Sequence, residues 1–105
     1  MAEPCCMILT TTGDPQEAER IAELLVTRRL AACVQTTGIT SRYVWKGQYT
    51  REDETLLLIK TTTRLALEVE RAIRENHSYE VPEIIQVPIE RGLDAYLQWI
   101  AESTA

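Results

Sequence analysis

The sequence predicts one domain of the α+β class, spanning residues 1–105, in which helices cover one face of an antiparallel sheet. Three observations predict this class. Four short apolar runs, typical of strands, are interrupted by two segments whose apolar residues recur at helical spacing. Aromatic and β-branched residues on both sides of Gly47 indicate a long β-hairpin. The chain is 45% hydrophobic and holds only four glycines and four prolines, which is the composition of a compact globular protein.

The first third of the chain is predicted to form a strand, a helix and a second strand. Residues 5–11 are a short apolar run bounded by turn residues, which is typical of a strand. Asp14 has the position of a helix N-cap and Pro15 that of the first helical residue, so a helix begins there. The buried stripe of this helix consists of Ala18, Ile21, Ala22 and Leu25. Residues 31–34 are predicted to be the second short strand.

The remaining elements complete a ferredoxin-like order. Residues 42–49 form the tip of the hairpin, and its return arm ends in the apolar run 56–59. A second helix is predicted from about residue 63 to 76, and a fourth strand at 84–87, near a sheet edge because prolines flank it. A last helix covers about 93–102. The order βαββαβ plus a C-terminal helix is the split βαβ pattern of ferredoxin-like folds.

The strands indicate that the protein associates with itself. A sheet with one wet face alternates apolar and polar residues, yet residues 5–9, 31–34, 56–59 and 84–85 are nearly continuous apolar runs. Both faces of the sheet are therefore predicted to be buried. Three helices are too few to cover both faces, so we expect a homo-oligomer in which the hairpin contributes to the contact.

Charge and cysteine content exclude several classes of partner. Sixteen acidic and eleven basic residues give a formal charge of −5, which argues against a nucleic-acid partner because phosphates require a basic surface. No apolar run reaches the roughly 20 residues of a membrane span, and the start of the chain lacks the features of a signal peptide. The cytosol is the expected compartment. Three cysteines, an odd number, are expected to be reduced thiols.

His77, the only histidine, allows two interpretations. It lies just after the second helix, where its ring could cap carbonyl groups in a purely structural role. Alternatively it is a metal ligand with Cys33 as its soft partner, because thiolate and imidazole together favour copper or zinc. No paired motif such as HExxH or CxxC accompanies it, so the spacing alone favours the structural role.

A second candidate site is a cleft at a subunit boundary. Lys60 is the one cation in a predicted central strand, where it could hold an anionic ligand or pair with Glu83. Trp45 on the hairpin could line such a cleft or anchor an interface. The chain shows no nucleophile motif and no phosphate-binding glycine loop, so it is not expected to be an enzyme and no catalytic residue is assigned.

Five ordered blocks of the sequence resemble the CutA family of divalent-cation tolerance proteins. They cover almost the whole chain and are Leu30-Ala31-Ala32-Cys33, Tyr43-Val44-Trp45-Lys46-Gly47, Ile59-Lys60-Thr61, His77-Ser78-Tyr79-Glu80-Val81-Pro82-Glu83 and Tyr96-Leu97-Gln98-Trp99-Ile100. The resemblance implies a ferredoxin-like protomer in a tight homotrimer similar to PII-type signalling proteins, with long hairpins that link the subunits. It also implies divalent-metal tolerance and weak copper binding, with Cys33 and His77 as ligands. Some members carry a further cysteine where this chain has Thr10 or Thr11, and many have proline where it has Ser78.

The same resemblance leaves two alternative functions open. In the first, the trimer binds a small anionic molecule in clefts between subunits formed near Trp45, Lys60, Tyr79 and Glu83. In the second, the trimer is a scaffold for partner proteins.

Overall fold

The structure, a computed structural model, describes residues 3–105 and confirms the predicted α+β class. The elements follow the expected order. They are β1 (Cys5–Thr12), α1 (Pro15–Thr27), β2 (Cys33–Trp45), β3 (Gln48–Thr62), α2 (Ala66–Asn76, preceded by a turn of 3-10 helix at Thr63–Leu65), β4 (Ile84–Ile89) and α3 (Asp94–Ser103). Met1 and Ala2, at the start of the chain from which the compartment was predicted, lie outside the described residues.

The four strands form one antiparallel sheet in the order β2-β3-β1-β4. β1 lies inside the sheet and pairs with β3 from Cys5 opposite Thr62 to Thr12 opposite Thr55. Its other side pairs with β4, which is an edge strand as its flanking prolines predict.

The extent of β2 corrects the prediction of a short strand at 31–34. β2 begins only at Cys33 and continues without a break to Trp45, so that the hairpin and the second strand are one element. The middle of this strand is rich in β-branched residues, which favour the extended backbone: Thr36, Thr37, Ile39 and Thr40. Each of them pairs with a residue of β3. This pairing stabilises a strand whose middle is too polar to be recognised as a strand from the sequence.

The outer part of the hairpin is a two-stranded ribbon. β1 pairs with β3 only as far as Thr55, so residues 39–45 and 48–54 pair with each other alone. We call these two segments the ribbon. At its tip Lys46 has φ 50° and Gly47 has φ 78°, the two positive values of a type I′ turn, whose twist matches that of the strands. The ribbon makes the molecule elongated, with a longest extent of 48 Å.

The hydrophobic core lies between one face of the sheet and the helices α1 and α2. Alternate residues of β1 and β3 point into it and pack against the apolar stripes of both helices. The fully buried members of this core include Cys6, Leu57, Ile59, Ile21, Leu25, Val69 and Ile73. Asp14 caps α1 by accepting a hydrogen bond from the backbone N–H of Gln16 at 2.9 Å, which confirms the predicted helix start.

The opposite face of the sheet, which we call the open face, is only partly covered. The residues that alternate with the core positions point there, and they include Met7, Leu9, Leu56, Leu58 and Ile85. α3 packs against one end of this face, where its Leu97 carbonyl accepts a hydrogen bond from the Cys5 thiol at 3.9 Å. Ile85 remains 48% exposed. Within residues 3–105, no helix has the length and apolar character needed to cross a membrane.

Candidate functional site

His77 is held by both of its ring nitrogens. Its side chain is fully buried beyond the end of α2. Nδ1 accepts a hydrogen bond from the backbone N–H of Tyr79 at 3.0 Å, so this nitrogen carries no proton. Nε2 therefore holds the ring hydrogen and donates it to the carbonyl of Thr11 at 2.7 Å. Neither nitrogen is free for a metal ion, and the geometry is that of a side chain that fixes the loop after α2 to the end of β1.

Glu17 is the buried acceptor beside this histidine. Its carboxylate accepts hydrogen bonds from the hydroxyl of Thr12 at 2.5 Å, the backbone N–H of Ser78 at 3.0 Å and the hydroxyl of Ser78 at 3.2 Å. Glu17 was not among the residues predicted for the site. The signal was its position four residues before Ile21 and eight before Leu25, which places it on the buried stripe of α1.

Two tyrosines donate hydrogen bonds to two glutamates at the base of the ribbon. The hydroxyl of Tyr79 donates to Glu54 Oε2 at 2.9 Å, and that of Tyr43 donates to Glu52. Burial, followed by this hydrogen bond and the charges of both carboxylates, raises the pKa of Tyr79 far above its usual value. The hydrogen bond to Glu52 is the main reason that the pKa of Tyr43 rises to about 12. Both phenols are therefore neutral donors near pH 7 in a negative local field.

These side chains line a groove of about 700 Å³ between the ribbon and the loop that follows α2. Among the residues predicted to form a cleft, the structure brings Trp45, Tyr79 and Glu83 to this groove. Its lining includes four glutamates and one arginine, so the formal charge of the lining is −3. The groove is acidic and partly aromatic, which suits a cation better than the small anion expected from the sequence.

Lys60 does not line this groove. Its ammonium group donates a hydrogen bond to Gln35 Oε1 at 2.5 Å and lies 5.8 Å from the ring centroid of Tyr96 on α3. These contacts place it on the open face, opposite Cys33 in the register of β2 and β3. The predicted cleft is thus divided between two places, because Lys60 lies several residues further along β3 than Glu54.

Cys33 and His77 are also far apart within one protomer. Cys33 is two strands away from β1 and four positions from Thr11 in register, which corresponds to about 16 Å between their Cα atoms. His77 contacts Thr11 directly. In the part of the chain from residue 3 onward, no three side chains of His, Cys, Asp or Glu are grouped as a metal ion requires. Cys5 and Cys6 are buried, and burial is the main cause that raises the pKa of both thiols.

Gly13 allows the close approach of Tyr79. A Cβ atom added to Gly13 would lie 2.9 Å from the Tyr79 hydroxyl oxygen. Gly13→Ala is therefore expected to displace the hydroxyl from Glu54 and to lower the free energy of unfolding by about 1–2 kcal/mol, measured by urea unfolding. Gly38→Ala is the matched control, because no atom lies within 4 Å of the corresponding Cβ position. Equal effects of both substitutions would contradict the role of Gly13.

Comparison with known proteins agrees with this fold. Residues 6–103 match the family described as CutA1 divalent ion tolerance protein. A Thermus thermophilus protein named Divalent-cation tolerance protein CutA is 41% identical over 93% of this chain and 96% of its own length. An Arabidopsis thaliana protein named Protein CutA, chloroplastic, is 37% identical over 96% of this chain, which spans 56% of that relative.

A solved structure extends the similarity from sequence to shape. The periplasmic divalent cation tolerance protein CutA from Archaeoglobus fulgidus superposes with a TM-score of 0.94 at 38% identity, over 96% of this chain and 99% of that one. Its fold and that of the present chain are the same within this match. The chain therefore belongs to the CutA1 family of divalent ion tolerance proteins.

Proposed function

We propose that this protein acts as a cytosolic homotrimer in the tolerance of divalent metal ions, as a binding protein and not as an enzyme. The names of its relatives support the link to divalent cations. The partly covered apolar face of the sheet supports self-association, and the resemblance to the family supports three subunits. Copper is the metal that we propose, bound weakly.

The metal assignment depends on which of the two predicted ligands, His77 and Cys33, has an atom available to bind a metal ion. Both ring nitrogens of His77 are engaged in hydrogen bonds to the backbone. Cys33 is a free thiol, half-buried at the start of β2 on the open face. Thiolate sulfur is a ligand that copper and zinc prefer. We therefore assign the metal contact to Cys33, with His77 in a structural role.

A copper titration under reducing conditions tests this assignment. Cys33→Ser is expected to weaken copper binding at least about tenfold, because it replaces the soft ligand by a hard one. His77→Gln is the comparison variant, since its amide offers one donor and one acceptor like the neutral imidazole, and it is expected to bind copper as the wild type does. Unchanged affinity of the Cys33→Ser variant would exclude Cys33 as a ligand.

Self-association is attributed to the open face. Leu9 and Ile85 face each other across β1 and β4 on this side of the sheet, and Ile85 is 48% exposed. Contiguous apolar surface of this kind is typical of an interface between subunits.

Ile85→Glu is therefore expected to shift the mass from trimer toward monomer, because a charge in an apolar interface loses its hydration. Gln86→Glu is the matched control: Gln86 is the next residue of β4 and points to the other side of the sheet. Sedimentation velocity at micromolar concentration gives the result. A wild-type mass of one subunit would refute the homotrimer.

A second function is supported by the groove at the base of the ribbon. It brings three of the four residues predicted for a PII-like ligand cleft, Trp45, Tyr79 and Glu83, to one cavity of about 700 Å³. That volume is in the range of small-molecule sites. The acidic lining points to a ligand of positive charge.

A further inference from the structure

We propose that His77 is a proton-operated switch that releases the loop after α2, residues 77–83, when the surroundings become acidic. This inference goes beyond metal tolerance. It is independent of the contact assigned to Cys33 and of the number of subunits, because every group involved belongs to the same protomer. It depends on the two partners available to Nδ1 of the imidazole and on the loop that one of these partners holds.

The neutral imidazole holds the loop through Nδ1. This nitrogen accepts a hydrogen bond from the backbone N–H of Tyr79 at 3.0 Å, while Nε2 donates to the carbonyl of Thr11 at 2.7 Å. An imidazole nitrogen that carries a proton cannot accept a hydrogen bond. A proton taken from solvent onto Nδ1 therefore breaks the bond to Tyr79 and leaves the bond to Thr11 in place. Histidine is the side chain that changes charge between about pH 5 and pH 8, so mild acid supplies this proton.

Glu17 provides the second partner of Nδ1. Its Oε2 atom lies 3.6 Å from Nδ1, which a small rotation of the ring converts into a hydrogen bond once Nδ1 is protonated. The Glu17 side chain is 5% exposed and that of His77 is 0% exposed, so solvent ions screen their attraction little. A charge-assisted hydrogen bond is roughly twice as strong as a neutral one, so the bond to Glu17 offsets the lost bond to Tyr79. The loop thus has two states, and one proton selects between them.

The other charged or titratable groups around the ring leave this exchange possible. Within residues 3–105, Glu17 is the one carboxylate that pairs with the imidazole, and Arg20 lies 3.7 Å from its other oxygen, Oε1. β1 contains no acidic or basic residue. The Tyr79 ring lies 4.8 Å from that of His77, between centroids, and its hydroxyl donates to Glu54 of β3. Burial and Glu54 raise the pKa of this phenol, so it stays neutral in mild acid.

Protonation of His77 also weakens the second attachment of the loop. Ser78 donates its backbone N–H and its hydroxyl to Glu17 at 3.0 and 3.2 Å. The hydroxyl bond goes to Oε2, the same oxygen that the protonated ring approaches, so the ring and Ser78 compete for it. The loop continues into β4, which begins at Ile84 and remains paired with β1. We therefore expect the loop to move away from α1 and β1 while the sheet stays folded.

The experiment follows the backbone amides of the full chain by NMR, at one protein concentration, from about pH 7.5 to about pH 5.5, where histidine changes charge. The hydrogen-exchange protection of the Tyr79 amide, corrected for the pH dependence of intrinsic exchange, is expected to fall at least about tenfold. The Ile59 amide, in the fully buried middle of β3, is the internal reference and is expected to stay protected. The Tyr79 amide shift is expected to follow the same pH curve as the ring signals of His77, the only histidine.

Three variants separate the proton on His77 from other effects of acid. His77→Gln keeps one donor and one acceptor but does not titrate, so the Tyr79 amide is expected to stay protected throughout the pH range. Glu17→Gln removes the charge that attracts the protonated ring, so release of the Tyr79 amide is expected to require a lower pH. Glu19→Gln is the matched control, because Glu19 is exposed on the same helix and the same charge is lost. Its release curve is expected to match that of the wild type.

Three results would overturn the proposal. They are constant protection of the Tyr79 amide in the wild type, an equal loss of protection at Ile59, which would indicate general acid unfolding, and a wild-type pH response in His77→Gln. A release curve of Glu17→Gln that matches that of Glu19→Gln would also overturn it, since Glu17 would then not be the second partner of the ring. If Glu17→Gln does not fold, the wild-type and His77→Gln curves still decide.

Discussion

His77→Ala is expected to lower the free energy of unfolding by about 4 kcal/mol, the largest effect of any single change outside the apolar core. The substitution leaves the backbone N–H of Tyr79 without its acceptor and the carbonyl of Thr11 without its donor. Each unsatisfied buried group costs about 1–3 kcal/mol, and the cavity of the missing ring adds to this loss. Urea unfolding at one fixed protein concentration measures the effect, because the self-association that we propose would contribute to apparent stability.

Glu80→Ala is the control for this variant, since Glu80 lies in the same loop and is exposed. Its effect is expected to stay within about 0.5 kcal/mol. A similarly small effect of His77→Ala would mean that the two hydrogen bonds do not fix the loop, and the structural role assigned to the histidine would be lost.

Glu17→Ala is expected to lower the free energy of unfolding by about 3 kcal/mol. The change removes the acceptor of three hydrogen bonds, two of them from Ser78 and one from Thr12. Glu19→Ala is a matched control on the same helix, because Glu19 is exposed. Chemical denaturation of both variants at neutral pH is the measurement, and a difference below about 1 kcal/mol between them would contradict a buried carboxylate that holds the loop.

Glu17 and His77 act on the same loop, so their effects are not expected to add. The backbone N–H groups of Ser78 and Tyr79 donate hydrogen bonds to Glu17 and His77, respectively, and one substitution already frees the segment that the other would free. The double variant is therefore expected to lose less stability than the sum of the single variants.

The sequence predicted the order of the elements because each is marked by local chemistry. The Asp14-Pro15 helix start and the edge position of β4 are examples, since a cap and a proline act through neighbouring backbone atoms. The full length of β2 was not predicted, because its polar middle is stabilised by pairing with β3, a contact between residues distant in sequence.

The arrangement of the candidate site also depends on contacts between residues distant in sequence. Trp45, Tyr79 and Glu83 line one groove, whereas Lys60 lies six residues beyond Glu54 on the same side of β3. Glu52 and Glu54 were not among the residues predicted for the cleft. A run of polar residues in a strand does not reveal which of them point toward a neighbouring loop. The hydrogen bonds of His77 likewise depend on the packing of the loop against β1, which no spacing in the sequence encodes.

Hydrogen exchange at the backbone amides of the ribbon would provide a measure of subunit assembly. Its two segments pair only with each other, and two strands without a third are marginally stable in water. In an isolated subunit, deuterium should therefore replace the amide hydrogens of the ribbon from the tip at Lys46 and Gly47 inward, well before those of β1. In the homotrimer that we propose, neighbouring subunits would cover the ribbon and this gradient should flatten, so that exchange rates near the tip would measure the assembled fraction.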